Sequence, residues 1–336
     1  MNKILSVIIP LYNSAQWVEK CLDSVLNQDV PMEQMEIICV NDGSPDNSVE
    51  IVRGKSEEVK GKNGYSPIVV LDQENQGPSG ARNNGMRHAT GKYLMFVDPD
   101  DYVEPNTFGV LVAQMEQEQL DMLRFNFRMV DESYREIAPE PEDNDFNYTP
   151  GLITGSEFLG KRLGVGCNIW RYVYRTELII RNKIWCYTGD YYDDTPWLPL
   201  VLQKVQRMNV VNTVVYDYYQ TSNSLVRSHS AKIVKRKLDG KVFLIRLLSE
   251  QLSTVSDSSV RDWYLMQLAH SVVAIVSLLG QYAMGERKYY MNVIRNLNVL
   301  PLSIGRATDK TMRKIKLINL SMPLAVWMVY ISTKIR

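Results

Sequence analysis

The chain has few features that would stabilise or anchor it from outside its own core. Its four cysteines, Cys21, Cys39, Cys167 and Cys186, are too sparse for a disulfide framework and lack the close CxxC pairing of a zinc site, so a reduced, cytoplasmic chain is expected. Charge of one sign is absent too: 38 Lys and Arg stand against 38 Asp and Glu. There is no global basic field for nucleic acid, and any anion site must be local.

Long apolar runs are also missing, since none reaches the roughly 18 residues of a membrane-spanning helix. The nearest is Met322 to Ile331, MPLAVWMVYI, between Arg313, Lys314 and Lys316 on one side and Lys334 and Arg336 on the other. That pattern suits a helix packed on its own domain, and equally one lying peripherally at the inner face of the cell membrane. The N-terminal MNKILSVIIPLYN ends its short apolar run in a proline and lacks a cleavage site, so it reads as a first strand and not a signal peptide.

Several enzyme classes lack their signatures. No glycine follows the first strand in PLYNSAQW, which argues against a nicotinamide dehydrogenase. GxxxxGK[ST], GxSxG and the spacing of a calcium loop are absent. The glycine-rich, basic N-terminal loop of a sugar nucleotidyltransferase is absent as well.

What is present is a strand–helix alternation over the first hundred residues. Strands are expected at Leu5 to Pro10, Glu36 to Val40, Ile68 to Leu71 and Tyr93 to Val97. Helices are expected at Gln16 to Gln28, after a cap near Asp46 or Asn47, and from Gly77 to about His88 with Ser79 as N-cap. The pattern implies an α/β fold with a mainly parallel sheet. Further on, Pro105 opens a helix to about Leu120, Met122 to Val130 and Val210 to Tyr219 read as strands, and Asp131 to Pro150 is a surface excursion. Beyond about Ser230 strand signals vanish and leucine-rich segments of helix length take over, which divides the chain into residues 1–228 and a helical region 229–336.

The fourth strand ends in YLMFVDPDDY, three carboxylates within four residues at Asp98, Asp100 and Asp101. Ligands of open α/β sheets gather at the carboxyl ends of strands. If the segment stays extended, Asp98 and Asp100 share a side and converge, a placement that suits magnesium or manganese holding a diphosphate. The same residues can instead simply terminate the strand and cap a turn. Along the same edge come Tyr12 and Asn13 after the first strand, Asp42 after the second, and Ser79 and Arg82 after the third. A second acidic stretch, TGDYYDDTPW, places Asp193 and Asp194 before a helix start at Thr195-Pro196, where a carboxylate can take a proton from a hydroxyl.

In this order, SVIIPLYN, EIICVNDGSPDNS, NQGPSGARNNGMRHATGKYLMFVDPDD and GDYYDDTPW resemble the family 2 glycosyltransferases over roughly residues 1–225. The resemblance implies a GT-A fold with a Rossmann-like mixed sheet, a nucleotide-diphosphate-sugar donor, commonly a UDP-sugar, and transfer with inversion. Carried over, Pro10, Tyr12, Asn13 and Asp42 hold the nucleoside, Ser79 and Arg82 lie next to the donor, and Asp98 and Asp100 match the DxD motif. Asp98 then faces sugar or ribose, while Asp100 is the leading ligand of Mn2+ or Mg2+. Asp194 matches the catalytic base; Asp193 stands where the family often has Glu, and its shorter side chain leaves its role open. Arg227 and His229 fall in a segment that resembles the family's donor-covering loop. The implied acceptor is a glycan or lipid-linked glycan in bacterial surface-polysaccharide assembly. The alternative is a non-catalytic nucleotide-sugar-binding or membrane-associated scaffold of the same fold.

Overall fold

The computed structural model describes residues 3–137, 150–164, 166–188, 194–220, 230–280, 284–302 and 309–334. The chain divides into two compact units. The first comprises Met1–Ser156, Cys167–Gly189 and Trp197–Ser224; the second comprises Glu157–Gly166, Asp190–Pro196 and Leu225–Arg336.

In the first unit, β1 (Leu5–Leu11), β2 (Met35–Asp42), β3 (Ile68–Gln73) and β4 (Tyr93–Phe96) pair in parallel in the order β3-β2-β1-β4. The crossovers between them are α1 (Val18–Leu26), α2 (Ser48–Asn63) and α3 (Gly77–His88). Every residue of β1 and β4 is buried, which is why both read as near-continuous apolar runs instead of alternating ones. The chain moves outward from β1 to β3 and then returns to β4 on the other side of β1. The carboxyl ends of β1 and β4 therefore flank the switch point where such sheets bind ligands.

Pro10 marks the place where those two strands part. The Ile8 carbonyl accepts from Val97 N at 3.0 Å, so Ile8 and, two residues on, Pro10 direct their backbone groups toward β4. Pairing between β1 and β4 ends at Ile8 and Phe96, so the donor that proline lacks falls where no partner strand remains.

Beyond β4 the strand direction changes. β5 (Tyr102–Val103), β6 (Met122–Val130), β7 (Glu136–Ile137), β8 (Tyr172–Arg175) and β9 (Met208–Tyr219) complete a nine-stranded sheet, ordered β3-β2-β1-β4-β8-β6-β9-β5 with β7 paired to β6. β8 runs antiparallel to β4 and β6, and β5 antiparallel to β9, whereas β6 and β9 are parallel. The mainly parallel sheet implied by strand–helix alternation is thus a mixed one. A strand's residues encode which faces it buries, and the path of its connection decides its direction.

Helix starts differ from expectation where a distant side chain caps them. α4 (Phe108–Gln117) begins three residues beyond Pro105, because Gln28 Oε1 accepts from Thr107 N and Phe108 N, and Asp29 Oδ1 accepts from Gly109 N. Ser79 is not an N-cap: Gln76 holds that position and Ser79 lies inside the first turn of α3. α2 does follow the Asp46 signal, since Asp46 Oδ1 accepts from Ser48 N at 3.1 Å. α5 (Gly155–Lys161) and α6 (Thr176–Arg181) follow β7 and β8, and α7 (Asp194–Leu202) begins at Asp194 itself, ahead of Thr195.

The second unit is helical: α8 (Ala231–Thr254), α9 (Ser258–Leu279), α10 (Met284–Asn296) and α11 (Asp309–Lys334). Asp257 caps α9, accepting from Ser259 N at 2.9 Å and Val260 N at 3.0 Å. α9 is the core of this unit, buried from Val260 to Leu279 on most of its positions and packed against α8, α10 and α11. Trp263 extends that core by donating Nε1 to the Gly164 carbonyl at 3.0 Å.

Candidate active site

At the end of β1 the chain turns sharply through Asn13, whose φ of 51° lies in the left-handed region that asparagine tolerates better than most residues. Asn13 N donates to Ser44 Oγ at 2.8 Å, which ties this turn to the turn after β2. Tyr12 is left 54% exposed at the sheet edge, an aromatic face available for stacking. Pro10 is buried in β1 behind it.

Asp42 ends β2 and is buried. Its Oδ1 accepts from Gln73 Nε2 at 2.7 Å and from Gln76 N at 2.8 Å, joining the end of β3 and the entrance of α3. One carboxylate oxygen is thereby committed to the fold. Oδ2 makes no hydrogen bond among the described residues and remains as an acceptor.

Asp46 closes a small network over the same turn, taking hydrogen bonds from Ser44 Oγ at 2.6 Å, Ala15 N at 2.8 Å and Ser48. Its burial acts to raise the pKa, but the bonds from Ser44, Ser48 and Ala15 outweigh it and hold the carboxyl at about 2.

The carboxylate cluster is built as a turn. Asp101 N donates to the Asp98 carbonyl at 3.1 Å, closing Asp98-Pro99-Asp100-Asp101 into a four-residue turn, so the extended route to convergence is not the one taken. Asp98 nevertheless lies close enough to raise the pKa of Asp100, and both lie close enough to raise that of Asp101. Their environments differ, and so do the roles open to them.

Asp98 Oδ1 accepts from an Arg82 guanidinium nitrogen at 2.7 Å, and Arg82 is almost wholly buried on α3. Asp101 is buried too, with Oδ2 taking the Tyr216 hydroxyl at 2.7 Å and Oδ1 taking Tyr219 N at 2.7 Å from β9. Burial, with Asp100 and Asp98 adding to it, pushes the Asp101 carboxyl well above the usual range against the pull of those two hydrogen bonds. Asp101 is therefore an anchor, and its carboxylate faces protein.

Asp100 is different, because its carboxylate takes no hydrogen bond or ion pair from another residue among the described residues. Burial first, and then the neighbouring Asp98 carboxylate, raise its pKa to about 6. A divalent cation beside it would reverse both effects, so the residues present fit a hard metal ion. Among the described residues no group of three or more His, Cys, Asp or Glu side chains forms a cage. A site with one or two carboxylates leaves coordination positions for phosphate and water, which is how magnesium is commonly held at phosphate sites.

Ser79 lies on the same helix as Arg82, fully buried, and its hydroxyl has no hydrogen-bond partner among the described residues. Asp194 stands in the first turn of α7, in the segment that belongs to the second unit. Asp193, Arg227 and His229 lie outside the described residues.

Three contributors escaped sequence reading. Asp101 is indistinguishable from its neighbours in DPDD, and its burial comes from β9, more than a hundred residues later. Tyr216 carries no signal beyond strand periodicity. Gln73 could be suspected only from its position at the end of β3 beside Asp42.

A mixed sheet with an aspartate turn at its switch point fits a GT-A fold, and solved structures agree. Staphylococcus aureus TarS 1-349 in complex with UDP-GlcNAc aligns with a TM-score of 0.69 at 19% identity, over 97% of this chain and 89% of that one. The mannosyltransferase PcManGT from Pyrobaculum calidifontis, in complex with GDP-Man and Mn2+, aligns with a TM-score of 0.56 at 14% identity, over 98% and 88%.

The chain belongs to glycosyl transferase family 2, whose description matches residues 6–172. It is 34% identical over 234 residues to the uncharacterized glycosyltransferase YibD of Escherichia coli (strain K12). That match takes in 67% of this chain and 64% of the relative, so the chain spans just under two thirds of the relative's length.

Proposed function

We propose that this protein is an inverting glycosyltransferase that moves a sugar from a nucleotide-diphosphate donor, a UDP-sugar, to an acceptor hydroxyl. The observation that carries the reading is Asp100, a half-buried carboxylate that no other residue hydrogen-bonds among the described residues, set in a turn at the switch point and flanked by Asp98 and Arg82.

In this reading Tyr12 stacks on the base, and Asp42 Oδ2 accepts from base or ribose while Oδ1 stays with the fold. Pro10 and Asn13 shape the crevice floor, and Ser79 offers its buried hydroxyl on the donor side. Asp98, held by Arg82, faces the sugar or ribose. Asp100, with Asp98 beside it, would hold a manganese or magnesium ion, which would supply positive charge to the leaving diphosphate. Asp194 accepts the proton of the acceptor hydroxyl as that oxygen forms its bond to the anomeric carbon. The bond from that carbon to the diphosphate breaks, its electron pair leaves with the nucleotide, and configuration inverts. Asp193 precedes the base in the chain.

The acceptor proposed is a glycan or lipid-linked glycan of a bacterial surface polysaccharide. One supporting relative is TarS of Staphylococcus aureus (strain Mu50 / ATCC 700699), named poly(ribitol-phosphate) beta-N-acetylglucosaminyltransferase. It is 32% identical over 141 residues, 40% of this chain and 24% of that protein.

Calorimetric titration of UDP and GDP with and without manganese, on wild type and Asp100→Ala, tests the donor site. Manganese-dependent UDP binding that disappears in Asp100→Ala is expected. Nucleotide binding that ignores both metal and variant would overturn the assignment. Asp194→Asn is expected to keep nucleotide binding and to lower transfer about 10²- to 10⁴-fold.

A further inference from the structure

Helix α11 carries an apolar face that its own unit leaves uncovered. The helix is kinked at Ser321, whose φ of −161° is not helical, and Ser321 Oγ accepts from Leu324 N at 3.4 Å to start the second segment. Ile315, Ile318, Met322, Ala325 and Val326 are buried, and α11 packs on α9. Leu324, Trp327 and Met328 are 40%, 56% and 48% exposed, and Leu320 just before the kink is 79% exposed. Residues 324, 327 and 328 fall at the spacing that places side chains on one helix face. A tryptophan, a leucine and a methionine side by side in water are costly unless something covers them.

The charge around this face says what covers it. From Asp309 to Arg336 the chain has six basic residues, Lys310, Arg313, Lys314, Lys316, Lys334 and Arg336, against the one acidic residue Asp309, although the whole chain is neutral. Arg313, Lys314 and Lys316 are exposed on the first segment of α11. An independent feature adjoins them: a cavity of about 250 Å³ between α9 and α11, lined by Val273, Val276, Leu317, Ala325 and Met328, with Lys314 as the charged residue of its wall. An apolar recess beside a lysine suits an acyl chain below an anionic headgroup.

Crossing a bilayer is a poor fit. Thr311–Ser332 is long and apolar enough by composition, with mean hydropathy 1.4. However, the segment after the kink, 322–334, is only about 20 Å long at about 1.5 Å per residue, against a hydrocarbon core of about 30 Å. α9 passes the same compositional test, but it is mostly buried as the core of its unit. A helix with basic residues, a tryptophan and a stripe on one face lies in an interface instead.

We propose that α11 docks this protein on an anionic lipid bilayer, with Leu324, Trp327 and Met328 at the boundary between headgroups and acyl chains and Arg313, Lys314 and Lys316 at lipid phosphates. The proposal stands apart from the catalytic reading, because it is tested without donor or acceptor.

The experiment is flotation of the full chain with vesicles of phosphatidylcholine alone and of phosphatidylcholine mixed with phosphatidylglycerol, at low and high salt. Expected are partition onto the anionic vesicles at least ten-fold above the neutral ones and weakening by salt. The double change Leu324→Asp, Trp327→Asp lowers partition more than ten-fold. Lys314→Ser with Lys316→Ser, which leaves the apolar stripe intact, lowers it about five-fold for each charge. Circular dichroism melting of each variant confirms that it is folded, and the lysine pair serves if the apolar pair is not. The proposal is overturned by absence of vesicle binding, by equal binding to both vesicle types, or by indifference to the lysine pair. It is equally overturned if light scattering finds a dimer that the Leu324 and Trp327 changes break while vesicles are ignored, which would make a second copy the occupant.

Discussion

Tyr216 and Asp101 share a hydrogen bond of 2.7 Å from the tyrosine hydroxyl to Oδ2, and the same hydroxyl accepts from Asp98 N at 3.0 Å. The Tyr216 ring is stacked on Trp170, with centroids 4.3 Å apart. One phenol thus fixes both ends of the carboxylate turn to β9. Tyr216→Phe leaves a buried carboxyl and a backbone N–H short of a partner and is expected to cost about 1–3 kcal/mol. Thermal unfolding reads that loss. Manganese-dependent UDP affinity, measured alongside, is expected to fall as well, and an unchanged affinity would reduce Tyr216 to a purely structural role.

Arg82 and Asp98 form a pair in which the arginine side chain is 6% exposed and the aspartate 24%. Partial exposure of Asp98 screens the pair, so Arg82→Ala is expected to cost less than the roughly 3–5 kcal/mol of breaking a fully buried one. Nucleotide affinity is expected to drop in Arg82→Ala, and Arg82→Lys is expected to restore only part of it, because a point charge does not reproduce a planar fork. Calorimetry on the two variants distinguishes the cases; full rescue by lysine would show that charge alone matters.

Asp46 links stability to acidity. Its folded pKa of about 2 lies below the roughly 3.9 of an unfolded aspartate, so the unfolded chain binds the proton more readily. The contribution is therefore complete above about pH 4 and is lost as pH falls through 2. Urea unfolding of Asp46→Asn is expected to show a lower midpoint than wild type at neutral pH, with the gap narrowing toward pH 2. A gap independent of pH would assign the effect to geometry and not to charge.

Two glycines should answer alanine in opposite ways. A Cβ at Gly91 would lie 2.6 Å from Ser6 N and 2.8 Å from the Leu5 carbonyl carbon, so Gly91→Ala forces apart the backbone at the start of β1 and is expected to cost at least about 1–3 kcal/mol. Gly54 lies inside α2 with nothing within 4 Å, and Gly54→Ala is expected to stabilise by about 0.5–1 kcal/mol. Melting temperatures of the two proteins give the signs directly.

Much of this protein follows from local pattern. β1, β2 and β4 read as buried strands because each is buried on both faces, and α3 ends near His88 because its turn chemistry is local. The DPDD segment marked a carboxylate cluster at the end of β4, though not the turn that forms it, and the motif order identified the family. Other features came only with tertiary structure. Strand direction after β4 depends on the path of connections, and the start of α4 depends on Gln28 and Asp29. Which of three adjacent aspartates stays free depends on Tyr216 and Tyr219 claiming Asp101 and Arg82 claiming Asp98, all through contacts between residues distant in sequence. Burial decides in the same way for α11: its composition allowed a packed helix or an interfacial one, and only packing against α9 shows which residues are covered and which, Leu324, Trp327 and Met328, are left facing out.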